Sequence, residues 1–346
     1  MILLVAPYQR TDVTCAAIRL WQWFTSRGET VHYLATSRAS GVLHLALDQQ
    51  VRSVHTADLY ALTRWAKLVV WFEPYPVLAE MLDLLDTQPR QVLVACPSLL
   101  QPWDESVWRG FLRIVAAPPV IVSLRQQWAN RPLAEQRLLP CHWDAGVPLV
   151  RRDGLLQAHQ QVRFLVLLDT PTVKGPAASL WSILSGLLPR LQRSSLTVAC
   201  SARCSDAQQR QIQALSAMSS RFSFLRWRTW DELWLQAHQH DVVAYLAQRY
   251  DTTALASRLL ATGSPLITWD HPVMADWLHP QRAGWLVRCA VDTLRHDWWS
   301  AVPDWHAFAD CLVQIDRQPR EVLARQAGME LSRSFVQTWS ALLEEV

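Results

Sequence analysis

Lysine is nearly missing from this chain. Of its 33 basic residues only Lys67 and Lys174 are lysines, and the remaining 31 are arginines. Runs of basic residues are also missing. With a net charge of +3, charge alone does not argue for nucleic acid or an acidic membrane surface. The seven cysteines include no C-x-x-C pair, and the closest two, Cys200 and Cys204, have Ser-Ala-Arg between them. An odd count without metal-type spacing reads as the reduced thiols of a cytosolic protein. No apolar run is long enough to span a membrane. The start "MILLVAPYQRTDVT" has neither the basic region nor the long apolar core of a secretory signal. H-E-x-x-H, a P-loop and a zinc-ligand set are all missing, so no metal is expected. G-x-G-x-x-G is missing too, which weakens a dehydrogenase reading. His32, His44, His238 and His240 are isolated and fit core or surface positions better than ligand sets. There is no short repeat and no low-complexity tract.

What is present is a foldable balance. The 346 residues are 50% hydrophobic and 18% charged, enough for two domains rather than one. Tryptophan is abundant, at 19 residues. It could form sugar-stacking or membrane-interface surfaces. It could equally reflect a compositional bias that favours Arg and Trp and avoids Lys. Under that bias a lysine that persists is conspicuous, and Lys174 sits at a strand-to-helix turn with Gly175 behind it.

Strand-type and helix-type segments alternate from end to end. "MILLVAP" is followed by "DVTCAAIRLWQWFTSRG", apolar at helical spacing, with Asp12 as its N-cap and Gly28 as its stop. "TVHYLAT", "KLVVWFE", "RQVLVAC" and "PPVIVSL" read as further strands. This rhythm predicts a mainly parallel sheet covered by helices on both faces. It breaks at the polar stretch 149–161 and then restarts with "VRFLVLL", "GPAASLWSILSGLLPRL" and "SLTVAC". The alternation continues through "DAQQRQIQALSAM", "RFSFLRW", "WDELWLQAHQ", "DVVAYLA", "TTALASRLLATG" and "PLITW". The expected class is α/β, with two Rossmann-like doubly wound domains facing a cleft. The N-terminal domain spans 1–150 and the second 158–320. A helical tail over 321–346 crosses back to pack on the first domain, with Gly328 as its likeliest break.

The second domain resembles a known family. "VRFLVLLDTPTVKGPAASLWSIL" is similar to the first strand, Lys-Gly loop and helix of the donor domain in GT-B glycosyltransferases. The closest likeness is to family 4, the glycosyl transferases group 1 type, which includes sucrose synthase-like and lipopolysaccharide enzymes. "DTTALASRLLATGSPLITWDHPVMADWLHPQRAGWLV" resembles the family's helix ending in A-x-G-x-P, the strand after it, a short loop and helix, and a closing x-G-x-L-V. The likeness covers nearly all of 162–288. It is weaker in the first domain, which keeps the layout but not the glycine-rich loop. It implies an enzyme, a metal-independent hexosyltransferase. Its donor would be a nucleotide-diphosphate sugar and its acceptor a glycan or lipid-linked saccharide, as in polysaccharide biosynthesis. It implies no cofactor besides the donor. The expected location is cytoplasmic, peripheral at the inner membrane face if the acceptor is lipid-linked.

The resemblance also implies residue roles. The family's lysine at the place of Lys174 contacts the donor diphosphate, and Gly175 lets the backbone approach. The physical reason stands by itself: a departing diphosphate gathers negative charge, and a cation beside a helix start meets it. The family's arginine six residues before that lysine is Leu168 here, followed by Asp169. Its two glutamates, separated by seven residues, are Tyr250 and Arg258. Asp251 could take over hydrogen bonding to the donor sugar, and Arg258 could bring a phosphate-binding charge to this helix. Asp251 also fits a plain N-cap, with the amides of Thr252 and Thr253 reaching phosphate. In the first domain Asp12 could be a general base or an N-cap. Arg10 could pair with phosphate. Glu73, at the end of a buried-looking strand, could be a general base, an acceptor binder or half of a salt bridge. His142 and Asp144 read as turn and hinge residues. The resemblance leans to retention of stereochemistry, which the missing glutamates leave open. The alternatives are a phage-type glycosyltransferase acting on DNA bases, a non-catalytic GT-B binding protein, and a sugar-phosphate epimerase of the same architecture.

Overall fold

The computed structural model describes residues 1–9, 11–38, 45–53, 61–72, 90–95, 111–127, 138–141, 143, 161–168, 177–200, 206–247, 252–278, 284–291, 301–318 and 334–345. The chain divides into two compact units. The first holds Met1–Ala145, Asp251–Leu255 and Leu331–Val346, and the second holds Gly146–Tyr250 and Ala256–Glu330.

In the first unit the strands are β1 (Ile2–Tyr8), β2 (Val31–Arg38), β3 (Arg52–Ser53), β4 (Leu68–Trp71), β5 (Arg90–Val94), β6 (Arg113–Ala116) and β7 (Leu138–Pro140). They pair in the order β3-β2-β1-β4-β5-β6-β7, every pair parallel. All seven residues of β1 are buried, as expected of a strand covered on both faces. Helix α1 (Asp12–Ser26) follows and buries Val13, Ile18, Leu20 and Phe24. Its N-cap is Thr11, whose Oγ1 accepts from the Thr14 amide at 3.3 Å. Asp12 is therefore the first helical residue and not the cap of α1. Thr11 has the extended backbone that a cap needs (φ −123°). Gly28 stops the helix as expected, at φ 80°, a conformation that costs glycine little. A one-turn helix, α2 (Leu45–Asp48), precedes β3.

"PPVIVSL" is not a strand. It opens α3 (Pro118–Gln127), and the strand is the preceding Arg113–Ala116. Two prolines cannot donate to a sheet ladder, but they fit a first helical turn, whose N–H groups have no intrahelical partner. The aliphatic run that looked like a buried strand therefore lies on a helix. Near the other end of the chain, helix α10 (Ser334–Glu344) groups with the first unit. Its Phe335 packs edge-on to Trp23 at 5.9 Å and its Trp339 to Phe24 at 6.0 Å. Thr338 Oγ1 donates to the Pro140 carbonyl at 3.3 Å. Trp71, Trp143 and Trp339 are all fully buried, so for these the abundance of tryptophan serves core packing.

The first unit also contains a long-range cap. Asp12 is buried, and its carboxylate accepts from the Thr252 amide at 2.5 Å, the Thr252 hydroxyl at 2.9 Å and the Leu255 amide at 2.8 Å. Thr252 Oγ1 in turn accepts from the Ala254 amide at 3.1 Å. Thr253 Oγ1 accepts from the Trp143 amide at 2.8 Å. Asp12 thus caps a helix, but it is α7 (Ala254–Leu260), some 240 residues away in sequence.

The second unit repeats the plan with β8 (Val162–Leu168), β9 (Ser194–Cys200), β10 (Phe222–Arg226), β11 (Val242–Tyr245), β12 (Leu266–Trp269) and β13 (Gly284–Val287). Their order is β10-β9-β8-β11-β12-β13, again all parallel. The helices are α4 (Ala177–Leu187), α5 (Asp206–Met218), α6 (Trp230–Gln239), the later part of α7, and α8 (Pro272–Trp277). An antiparallel ribbon, β14 (Cys289–Val291) and β15 (Ala301–Pro303), leads into α9 (Trp305–Arg317). Buried Asp316 of α9 accepts from the amides of Gln192 and Arg193 and from the Ser194 hydroxyl, fixing the entry to β9. Asp241 holds Arg163 through both carboxylate oxygens, at 3.2 and 3.1 Å. Among the described residues no helix is long and apolar enough to cross a membrane.

Gly284 is a position where no side chain fits. Its φ is +152°, and a Cβ there would lie 1.8 Å from the Leu266 carbonyl oxygen of the neighbouring strand. Gly284→Ala is expected to destabilise the fold by about 3–5 kcal/mol, read as a lower midpoint in urea unfolding. Asp12→Ala removes the cap of α7 and leaves buried donors unmatched, for a loss of about 2–4 kcal/mol in the same measurement. Asp12→Asn is expected to lose less, because one acceptor oxygen survives.

Candidate functional site

Open α/β sheets bind ligands beyond the carboxyl ends of strands, where the strand order reverses. In the second unit that reversal lies between β8 and β11, which are adjacent, with Leu167 paired to Tyr245. The chain leaving β8 carries Lys174 and Gly175 before α4, and the chain leaving β11 carries Tyr250 and Asp251 before α7. Lys174, Gly175, Asp251, Arg10 and Glu73 lie outside the described residues, as do Asp169, Tyr250, His142 and Asp144. Leu168 ends β8, half-buried, where the resembled family carries arginine.

Arg258 is the expected site residue with the most informative surroundings. It is half-buried on α7, flanked by Ser257 and Leu259, which are fully buried. Its guanidinium carbon lies 5.5 Å from the centroid of the Trp234 ring. Among the described residues no carboxylate or carbonyl accepts its N–H groups. Trp234 belongs to α6 and stacks in turn on Trp230, with centroids 5.4 Å apart and planes 14° from parallel. Trp230 and Trp227 are buried and also in contact, at 5.2 Å. The start of α6 is held by a capping box. Thr229 Oγ1 accepts from the Glu232 amide at 3.2 Å, and Glu232 Oε2 accepts from the Arg228 amide at 2.5 Å and the Thr229 amide at 3.4 Å. The ladder under Arg258 is thus fixed at its base, and the cation lies over an indole face with no acceptor for its donor fork among the described residues. Sequence reasoning took the tryptophans as composition and missed Trp234. The signal was there: Trp230 and Trp234 are four apart and share a helix face.

Asp12, Thr252 and Thr253 come together, but in a different arrangement from the expected one. The Thr252 amide, expected to reach phosphate, donates to Asp12, and Thr253 is fully buried beside Trp143. Among the described residues Asp12 accepts from three donors on its two oxygens. These bonds hold the carboxylate against the start of α7.

A hollow of about 450 Å³ lies elsewhere in the second unit, lined in part by Ile183, Arg288, Cys289, Trp305 and His306. Burial, with Asp270 nearby, pushes the Cys289 thiol up to about 11, so it remains protonated near neutrality and is a poor nucleophile. Asp304 has its carboxyl lowered by a bond from the Ala307 amide and by Arg288, whose Nη2 is 2.8 Å away. The pair secures the start of α9. Among the described residues no group of three His, Cys, Asp or Glu side chains is placed to hold a metal ion.

Neither a protein-family model nor any curated protein sequence matches the chain. Solved structures do. HepE of Anabaena, determined with UDP and glucose, matches with a TM-score of 0.65 and 11% identity, over 100% of this chain and 99% of that one. WaaG, a glycosyltransferase involved in lipopolysaccharide biosynthesis, matches at 0.57 and 13%, over 94% of each chain. The pneumococcal O-GlcNAc transferase GtfA, determined with UDP and GlcNAc, matches at 0.60 and 13% over 83% of this chain. This chain spans only 59% of that GtfA and 57% of the chain matched in the GtfA/B complex. At such identities the likeness is one of fold. This chain has the two Rossmann-like domains of the GT-B glycosyltransferases.

Proposed function

We propose that this chain is a glycosyltransferase. It moves a sugar from a nucleotide-diphosphate donor to a hydroxyl of a glycan or lipid-linked saccharide. The observation that carries this reading is Arg258, a half-buried guanidinium whose N–H fork has no acceptor among the described residues. It lies on the helix that follows a strand of the reversal point. An arginine fork matches the oxygens of a phosphate. The UDP in the HepE and GtfA structures agrees with a nucleotide donor.

In this reading Lys174 and Arg258 hold the diphosphate, and Gly175 allows the backbone to approach it. As the glycosidic bond breaks, charge accumulates on the departing diphosphate, and these cations stabilise it in place of a metal ion. Asp251 hydrogen-bonds the sugar hydroxyls. Glu73, just beyond β4, takes the proton from the acceptor hydroxyl, since Asp12 is committed to α7. Arg10 adds a further phosphate contact. A cytoplasmic location, peripheral to the inner membrane for a lipid-linked acceptor, belongs to the same proposal. Transfer to a DNA base gains little support from the arginines. Arg113, Arg163, Arg190 and Arg288 pair with carboxylates of their own units.

The test is a thermal-shift screen of UDP-, GDP-, dTDP- and CMP-sugars with the full chain and its Lys174→Ala variant. One donor is expected to stabilise the wild type, by about 2.7 kcal/mol at about 100 times its Kd, and the shift should shrink in the variant. No shift with any nucleotide sugar would overturn the enzymatic reading and favour a binding protein that kept only the fold.

A further inference from the structure

We infer that Trp234 is a positioning residue for donor binding: its indole face holds the Arg258 guanidinium in the orientation that receives the diphosphate. The inference rests on the reading that Arg258 meets the donor.

Three observations carry it. First, the flat cation sits 5.5 Å from the ring centroid, within the range in which an aromatic face attracts a guanidinium. Second, Arg258 has no other partner among the described residues, so among them the ring is what fixes its direction. An arginine side chain has several rotatable bonds, and holding it in one geometry costs entropy at the moment of binding. A preformed stack removes much of that cost. Third, Trp234 is itself fixed. It stacks on Trp230 at a 14° interplanar angle, Trp230 packs on buried Trp227, and the Thr229–Glu232 capping box holds the turn that carries them. On the other side α7 is anchored by fully buried Ser257, Leu259 and Leu260, and its end is closed by Gly263 at φ 83°. Both helices that carry the pair are held by buried packing. The ring lies against the guanidinium, and among the described residues no acceptor takes the N–H groups. Those are the groups that bind a phosphate in bidentate fashion.

The experiment is a UDP titration by calorimetry on the full chain, with GDP as a second probe. It compares wild type, Arg258→Ala, Trp234→Leu, Trp234→Phe and the Arg258→Ala/Trp234→Leu double variant. Trp234→Leu keeps apolar bulk but removes the π face, and it is expected to weaken UDP by about three- to thirty-fold. Trp234→Phe keeps a smaller face and should remain within about threefold of wild type. The double variant should bind no more weakly than Arg258→Ala alone, because Trp234 acts only through the arginine. Wild-type affinity in Trp234→Leu alongside a loss in Arg258→Ala would overturn the inference and leave the donor reading intact. Additive losses in the double variant would likewise overturn it. Unchanged affinity in Arg258→Ala would remove Arg258 from the donor site, and the inference with it. Absence of UDP and GDP binding by the wild type has the same consequence for the inference. If Trp234→Leu fails to fold, Trp234→Phe decides: a loss as large as that of Arg258→Ala would sink the idea.

Discussion

Every strand in the two large sheets runs parallel to its neighbours. A parallel pair cannot be closed by a hairpin, so each return crosses a face of the sheet, and each loop that follows a strand leaves from the same edge. From this constraint the rest follows. The strands become buried on both faces, which explains why β1 and β4 are apolar throughout. The loops that follow the strands gather at one edge, on both sides of the point where the strand order turns back. Lys174 is 77 residues before Asp251 in the chain, yet the segments bearing Lys174, Asp251 and Arg258 follow β8 or β11, which are adjacent.

Charge is handled locally inside this frame. Backbone amides left without a partner attract anions, and here the protein supplies its own at a helix start and at a strand start. Asp12 serves α7, and Asp316 serves the amides entering β9. Both are buried carboxylates whose burial is offset by several N–H and O–H donors. Arg258 is the reverse case: a cation given an aromatic face and, among the described residues, no carboxylate. That contrast separates it from Arg163 and Arg288, whose charges are matched within the fold.

Much of the fold is legible in the residues. Helices α5 and α6 coincide with "DAQQRQIQALSAM" and "WDELWLQAHQ", because their apolar spacing is helical and their ends carry acidic or capping residues. Strands of the second unit match their aliphatic runs for the same kind of reason. Reading failed where composition and backbone chemistry disagree. "PPVIVSL" has the aliphatic content of a strand, but its prolines suit a helix start. The short β6, β7 and the β14–β15 ribbon were missed because three or four residues without a long aliphatic run carry too little periodicity to register. Within the site, the charged loop residues could be nominated from their places after strands. Trp234 could have been nominated from its spacing and was not. The bond from Asp12 to Thr252 had no local signal at all.

The sequence by itself determined the alternation of strands and helices, the two-domain plan and the loops in which chemistry could reside. These depend on periodicity and on turn residues, which act over a few positions. Tertiary structure alone decided what each candidate side chain meets: Asp12 a distant helix start, Thr253 a buried tryptophan amide, Arg258 an indole face. The physical reason is that a hydrogen bond or a stacked cation depends on distances of a few ångströms between residues that chain order leaves far apart.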